Sequence, residues 1–269
     1  MTKDARPDPK PRKNIHLWQS WLMWSELVDI RKAHLNRISA IKAGKSLMDL
    51  ELEETFIKET NLDQLIKNAK KIMINYGTTM GPIWDWVASI KGIGEGGLNA
   101  QLLAQIDDIG KFATVSKLWR FAGMAVINGK RESNAYGKKA NKNDRLHSIC
   151  SQIAQQFIWN QTPLYIDIYY AEKKRQEELH PDRICITCTD ELGYEIPLEE
   201  CKKKEGVCPK VDHKMWHNPG HWDARAKRKM MKMFLSHLWA KWRGLDGLPV
   251  TDPYPKAILG HDNMIEPPE

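Results

Sequence analysis

A chain of 269 residues with 42% hydrophobic content can bury one main core with small appendages and no more. The net charge of +7 and the pI near 9.0 point to a polyanionic partner, nucleic acid first among them, although charge alone specifies neither fold nor sequence preference. No apolar run approaches the roughly 18 residues of a membrane span, and the opening MTKDARPDPKPRKN lacks the apolar stretch of a signal peptide, so a soluble, cytoplasmic protein with no membrane partner is expected.

Leu, Ile, Lys, Glu and Gln fill the long internal segments while alternating β-branched runs are nearly absent, which predicts a mainly α fold. Residues 1–14 alternate Pro with Lys and Arg and read as a disordered basic tail. From Ile15 the pattern turns helical: Trp21, Trp24, Val28, Leu35 and Ile38 recur at helical spacings up to a stop near Gly44. A second run from about Leu47 to Tyr76, closed by Gly77, makes residues 15–80 a helical hairpin or coiled-coil arm. Such an arm serves packing or dimerisation, and a homodimer through it is expected.

Residues 81–180 are the expected core. Pro82 suits a first helical turn, and Ile83, Trp84, Val87 and Ile90 give that helix an apolar face. Gly92, Ile93 and Gly94 then break it, Gly96 and Gly97 follow, and Leu98, Leu102, Leu103 and Ile106 begin another helix. This is the helix-hairpin-helix pattern. Glycine accepts positive φ and lets backbone amides approach a phosphate, while the next helix directs its unpaired N–H groups at the anion. Ile93 is expected to point inward and clamp the helices; the competing reading is a structural tight turn with no ligand. A dinucleotide-binding loop fits less well, because the element before the glycines has helical periodicity.

Beyond the hairpin comes IDDIGKFATVSKLWRFAGM, with Thr114 as a helix cap and Gly123 as a stop. The order Gly92-Ile93-Gly94, then Leu102 to Ile109 (LLAQIDDI), Phe112, Ser116-Lys117-Leu118 and Ala122-Gly123-Met124 resembles the C-terminal transposase domain of the insertion sequence 110 (116/902) family. The stretch from Asn141 to Ala154 is similar to that domain's later basic helix, so the resemblance spans roughly Trp24 to Ile158. It implies a coiled-coil region leading into a helix-hairpin-helix module that binds DNA, in a prokaryotic nucleoid, phage or mobile-element setting. The family's RuvC-like nuclease domain, with its acidic metal-binding tetrad, has no counterpart here. Ser133 is the one serine in the loop where the family places its nucleophile, but it lacks the family's serine-glycine context. The reading therefore leans away from an enzyme, with a recombinase subunit using Ser133 beside a RuvC-like domain from another chain as the alternative.

From Ile127 to Arg145 the loop carries Lys130, Arg131, Lys138, Lys139, Lys142 and Arg145 against Glu132 and Asp144, a composition that suits phosphate contacts or a plain solvated loop. Helices follow to about His180, with Cys150 as a small buried residue. Residues 181–221 change character: Cys185, Cys188, Cys201 and Cys208 cluster in a polar segment, followed by His213. In a cytosolic chain this predicts a structural Zn²⁺ in a zinc-knuckle (zinc ribbon-like) insert, with His213 as alternative ligand for Cys201 or Cys208. Residues 222–269 hold an amphipathic helix and a Pro-rich tail. Met231, Phe234, Leu235, Leu238 and Trp242 form one face of that helix, and Arg225, Lys229 and Lys232 lie well round from it, as phosphate contacts or, alternatively, as a calmodulin-target face. The expected protein binds duplex or branched DNA; an RNA-binding or architectural accessory protein is the remaining class, with structured RNA as its partner.

Overall fold

A computed structural model describes residues 12–127, 130–131, 142–179, 184–189, 195–197 and 219–251, and among these the fold is mainly helical, as the composition predicts. Helices α1 (Ile15–Lys42), α2 (Leu50–Glu59) and α3 (Leu62–Thr78) form the arm. The core follows in chain order as α4 (Pro82–Ser89), α5 (Gly97–Ile106), a 3-10 turn (Ile109–Lys111), α6 (Val115–Phe121), α7 (Asp144–Trp159), α8 (Tyr165–Leu179) and α9 (Pro219–Leu245). Two antiparallel strand pairs complete it: β1 (Val126–Ile127) with β2 (Lys130–Arg131), and β3 (Ile184–Thr189) with β4 (Glu195–Pro197). No helix among the described residues is long and apolar enough to cross a membrane.

In the arm, α2 and α3 return antiparallel to α1. His16 stacks on Tyr76 near the base, Arg31 pairs with Asp63 midway, and Lys42 pairs with Glu54 at 2.9 Å near the tip. The sequence reading of one helix from Leu47 to Tyr76 is corrected here, because the run breaks at Thr60 and Asn61. Thr60 turns its hydroxyl onto the Phe56 carbonyl at 2.6 Å, and Asn61 adopts a left-handed φ of 48°, which Asn tolerates better than most residues. The break lets α2 present the buried Glu53 to Arg37 at 2.7 Å and to His34, while Phe56 stacks on His34. The Arg37 hydrogen bond, opposed by burial and aided by His34, holds the Glu53 carboxyl below the usual range.

Gly77 stands in the last turn of α3, which ends at Thr78 where the sequence places its close, and it is buried against the Trp84 ring on α4. Leu17 and Trp21 of α1 join Met73 of α3 in the same apolar cluster as the later helices, so the base of the arm is continuous with the core. The amide of Asn14, preceding α1, donates to Asp107 at 2.9 Å, and Lys111 pairs with the same carboxylate.

Helix α9 runs through the middle of the core. It buries Met230, Met231, Phe234, Leu235, Leu238, Trp239 and Trp242, which includes every residue of the face read from the sequence. Each such side chain contributes about 1.5–3 kcal/mol of transfer free energy. Its indole partners are specific: Trp239 Nε1 donates to the Phe112 carbonyl at 2.7 Å, and Trp119 Nε1 donates to the Lys232 carbonyl at 3.0 Å. Phe157, Tyr165 and Phe234 pack as an aromatic trio, and Tyr165 Oη meets His237 Nδ1 at 3.0 Å. Cys150 is buried beside them, its thiol pushed up to about 12 by loss of solvent, which leaves it unreactive.

Candidate nucleic-acid interface

Helix α4 ends at Ser89 with Ile90 as its C-cap, and the chain reaches α5 through Lys91, Gly92, Ile93, Gly94, Glu95 and Gly96. Ile90 and Ile93 are buried and hold the loop to the core from beneath, as the sequence predicts for Ile93. Gly92 (φ 94°) and Gly94 (φ 63°) take left-handed conformations, for two different reasons. A methyl on Gly92 would lie 3.2 Å from both the Gln156 carbonyl and the Asn160 side-chain nitrogen, so that glycine permits close approach to the end of α7. A methyl on Gly94 would meet nothing within 4 Å, so that glycine faces open space. Asn99, fully buried, ties α5 back to α4 by donating to the Trp84 carbonyl at 3.1 Å.

The start of α5 is uncapped, with Gly96 at the N-cap and no side-chain acceptor. Among the described residues, no side chain accepts from the amides at the start of α5, and the backbone of residues 91–95 is engaged only in a turn. Unpaired amides at a helix start carry the positive end of the helix dipole and suit an anion. Two lysines add to that field. Lys91 is exposed in the loop itself, and the Lys70 side chain crosses the start of α5, its Cε 2.7 Å from where a methyl on Gly97 would sit. Neither ammonium has an ion-pair partner among the described residues, and Glu95 is the loop's one acid. Sequence reasoning missed Lys70, since only the packing of α3 on α5 brings it there.

The other sequence-chosen cations have different surroundings. Lys130 and Arg131 lie on β2, in register with Ile127 and Val126. Lys138, Lys139 and Ser133 lie outside the described residues. The Lys142 side chain is only 7% exposed, crosses Gly123 and pairs with Asp144 at 2.8 Å, so it is withdrawn from phosphate. Arg145 is exposed but pairs with Asp29 of α1 at 3.1 Å and lies over the Trp21 ring.

On α9 the expected basic face is engaged by neighbouring helices, Arg225 and the half-exposed Lys229 by α8 and Lys232 by α6. Arg225 donates to Gln176 at 2.7 Å, and Lys229 reaches the buried Glu172 at 2.6 Å. Burial alone would raise the Glu172 pKa; hydrogen bonds from Arg175, Lys229 and Gln176 outweigh it and hold the carboxyl at about 2. Lys232 lies over the Trp119 ring, its pKa lowered first by burial and then by Arg228. These cations bond helix to helix. A sequence shows that a face is basic, but not which neighbour will cover it.

Asp107 and Asp108, the adjacent acids after α5, also serve the fold. Asp107 holds Asn14 and Lys111, and Asp108 accepts from the Gly110 amide at 2.9 Å, capping the 3-10 turn. Of the expected zinc ligands, Cys185 and Cys188 lie on β3, where Cys185 pairs with Ile196 of β4 and the register shifts between Cys185 and Thr189. Cys201, Cys208 and His213 lie outside the described residues, and among the described residues no three His, Cys, Asp or Glu side chains gather as a metal site.

The chain matches no protein-family model, no curated protein and no solved structure.

Proposed function

We propose that this protein is a DNA-binding protein of transposase-like type that grips the phosphate backbone through a helix-hairpin-helix loop, residues 92–97. The observation that carries the reading is the uncapped start of α5, with Gly94 open to solvent and the Lys70 and Lys91 ammonium groups beside it. Backbone amides recognise position and shape more than base identity, which suits duplex or branched DNA. The net charge of +7 supplies the long-range attraction.

The cysteine segment completes the proposal as a structural zinc site. The Cys185-x-x-Cys188 spacing on β3 is that of the first ligand pair of a zinc knuckle. Two further ligands from Cys201, Cys208 and His213 would close a tetrahedral shell around a Zn²⁺, which would brace the chain between α8 and α9. On the arm, Leu65, Ile72 and Tyr76 form an exposed stripe along α3, and this supports a second copy as its partner.

The test is affinity for a labelled duplex across a series of salt concentrations. Log affinity should fall linearly with log salt, and Lys70→Gln with Lys91→Gln should reduce the slope by about two, one for each lost phosphate contact. Equal slopes for the double variant and the wild type would remove the loop from the binding site. Structured RNA bound more tightly than DNA would instead favour the RNA-binding reading.

A further inference from the structure

Trp159 closes α7 with 70% of its side chain exposed, more than any other aromatic residue described. Its position on the helix is defined by its neighbours. Gln156 and Asn160 are the residues against Gly92, and at about 100° per residue Trp159 lies roughly 60° round from Gln156, on the side away from Asn160. Trp159 thus directly precedes Asn160, the residue whose side chain lies against Gly92.

Its base is held firmly. Two non-glycine residues in the following turn, Gln161 (φ 48°) and Leu164 (φ 69°), sit in the left-handed region, which a surrounding structure must hold in place. Thr162, buried between them, donates its hydroxyl to the Lys91 carbonyl at 2.8 Å and its amide to the Phe157 carbonyl at 3.0 Å. The α7–α8 turn and the glycine loop are thus bonded directly to one another. Tyr170, also exposed, meets Gln161 across the same turn at 3.4 Å.

The chain next to Trp159 is polar: the half-buried Asn160 and the exposed Gln161 follow it, and the turn they begin is bonded through Thr162 to Lys91, itself exposed. Two exposed aromatic residues, Trp159 and Tyr170, in such polar surroundings do not make the contiguous apolar patch that a protein partner would cover. The Trp159 indole suits a flat ligand with its own π-face and a negative charge close by. In a duplex the base faces are already stacked, so only an unpaired base can supply one.

We propose that Trp159 is a base-stacking site, and that the protein favours DNA carrying an unpaired base, as at a flap or junction, over continuous duplex. The proposal rests on the DNA-binding reading of the glycine loop. The phosphates lie on the start of α5 while the displaced base stacks on Trp159, and the fixed α7–α8 turn sets the spacing between the two contacts.

The experiment measures affinity for a blunt duplex and for the same duplex with a single-stranded flap, using wild type, Trp159→Ala, Trp159→Phe and Gly94→Val, each checked by thermal melting. Wild type should prefer the flap by about ten-fold, the scale of one base stacked on an aromatic ring. Trp159→Ala should lose that preference with its duplex affinity unchanged, Trp159→Phe should keep most of it, and Gly94→Val should lose affinity for both DNAs. A 2-aminopurine in the flap should change fluorescence on binding wild type but not Trp159→Ala. If Trp159→Ala keeps the preference, or loses both affinities equally, the stacking site is overturned while the loop stands. If folded wild type binds neither DNA, both proposals fail.

Discussion

Replacing Gly77 by Ala sets two opposed effects against each other. In a helix Ala is favoured over Gly by up to about 1 kcal/mol, less in the last turn where Gly77 stands, so on propensity alone Gly77→Ala stabilises α3. The structure reverses the sign. The new methyl would lie 2.3 Å from Cζ3 of Trp84 and 2.9 Å from Cε3, whereas carbon atoms rest about 3.5 Å apart or more, so the ring or the helix must move by roughly 1.2 Å. Trp84 is buried on α4 and has no solvent to swing into. Overpacking of this kind costs about 1–3 kcal/mol or more, and with displacement of a whole indole the net loss should be about 2 kcal/mol. For a chain of this size that lowers the melting temperature by roughly 4–8 °C. Gly97→Ala is the control. There the clash is with the far end of the Lys70 side chain, which can move away, so stability should change by less than about 0.5 kcal/mol while DNA affinity weakens. Thermal or urea unfolding measures both variants. A Gly77→Ala protein as stable as wild type, or more so, would refute the packing of α3 on α4.

The Glu172 carboxyl, at about 2 in the folded protein against 4.5 ordinarily, stabilises the fold fully above pH 4.5 and loses that contribution as pH falls towards 2. The full shift corresponds to about 3 kcal/mol, which solvent around the half-exposed Lys229 and Arg175 reduces to about 1–2 kcal/mol. Glu172→Gln should lose this much at pH 7 and much less at pH 2.5 in urea unfolding; an equal loss at both would contradict it. Elemental analysis of protein purified without chelators should find one zinc per chain, falling in Cys185→Ser and Cys188→Ser; metal-free wild type would remove the site. Gly94→Val should weaken duplex binding several-fold in a folded protein, because the open approach at the loop is blocked by a side chain strained at positive φ. Unchanged affinity would remove the hairpin from the interface.

What was legible in the sequence follows the range of the interaction involved. Apolar spacing marks the buried face of α9 and the inward Ile93, because periodicity reports burial directly. The break at Asn61 escaped it, since the apolar pattern passes through that residue and only the backbone records the left-handed turn. Gly77 reads locally as a stop, but its role is set by Trp84, which packs on it from another helix. Thr114 precedes α6 as predicted, yet its side chain makes no cap bond. The basic residues of α9 were visible and their partners were not: Glu172 and Gln176 stand some fifty residues earlier in the chain. Lys70 reaches the start of α5 only through the packing of α3 on α5, and the end of α7 meets Gly92 only through Gln156 and Asn160.

The most direct measurement is amide hydrogen exchange across residues 91–99 with and without duplex DNA. In the free protein the amides from Gly94 to Asn99 have no side-chain acceptor among the described residues and lie in a loop turn and a first helical turn, so they should exchange fast for a position beside a buried core. Bound phosphate should slow them, in wild type and not in Gly94→Val. Unchanged exchange in this loop under saturating DNA, with protection appearing elsewhere, would contradict the claim that these backbone amides hold the phosphate.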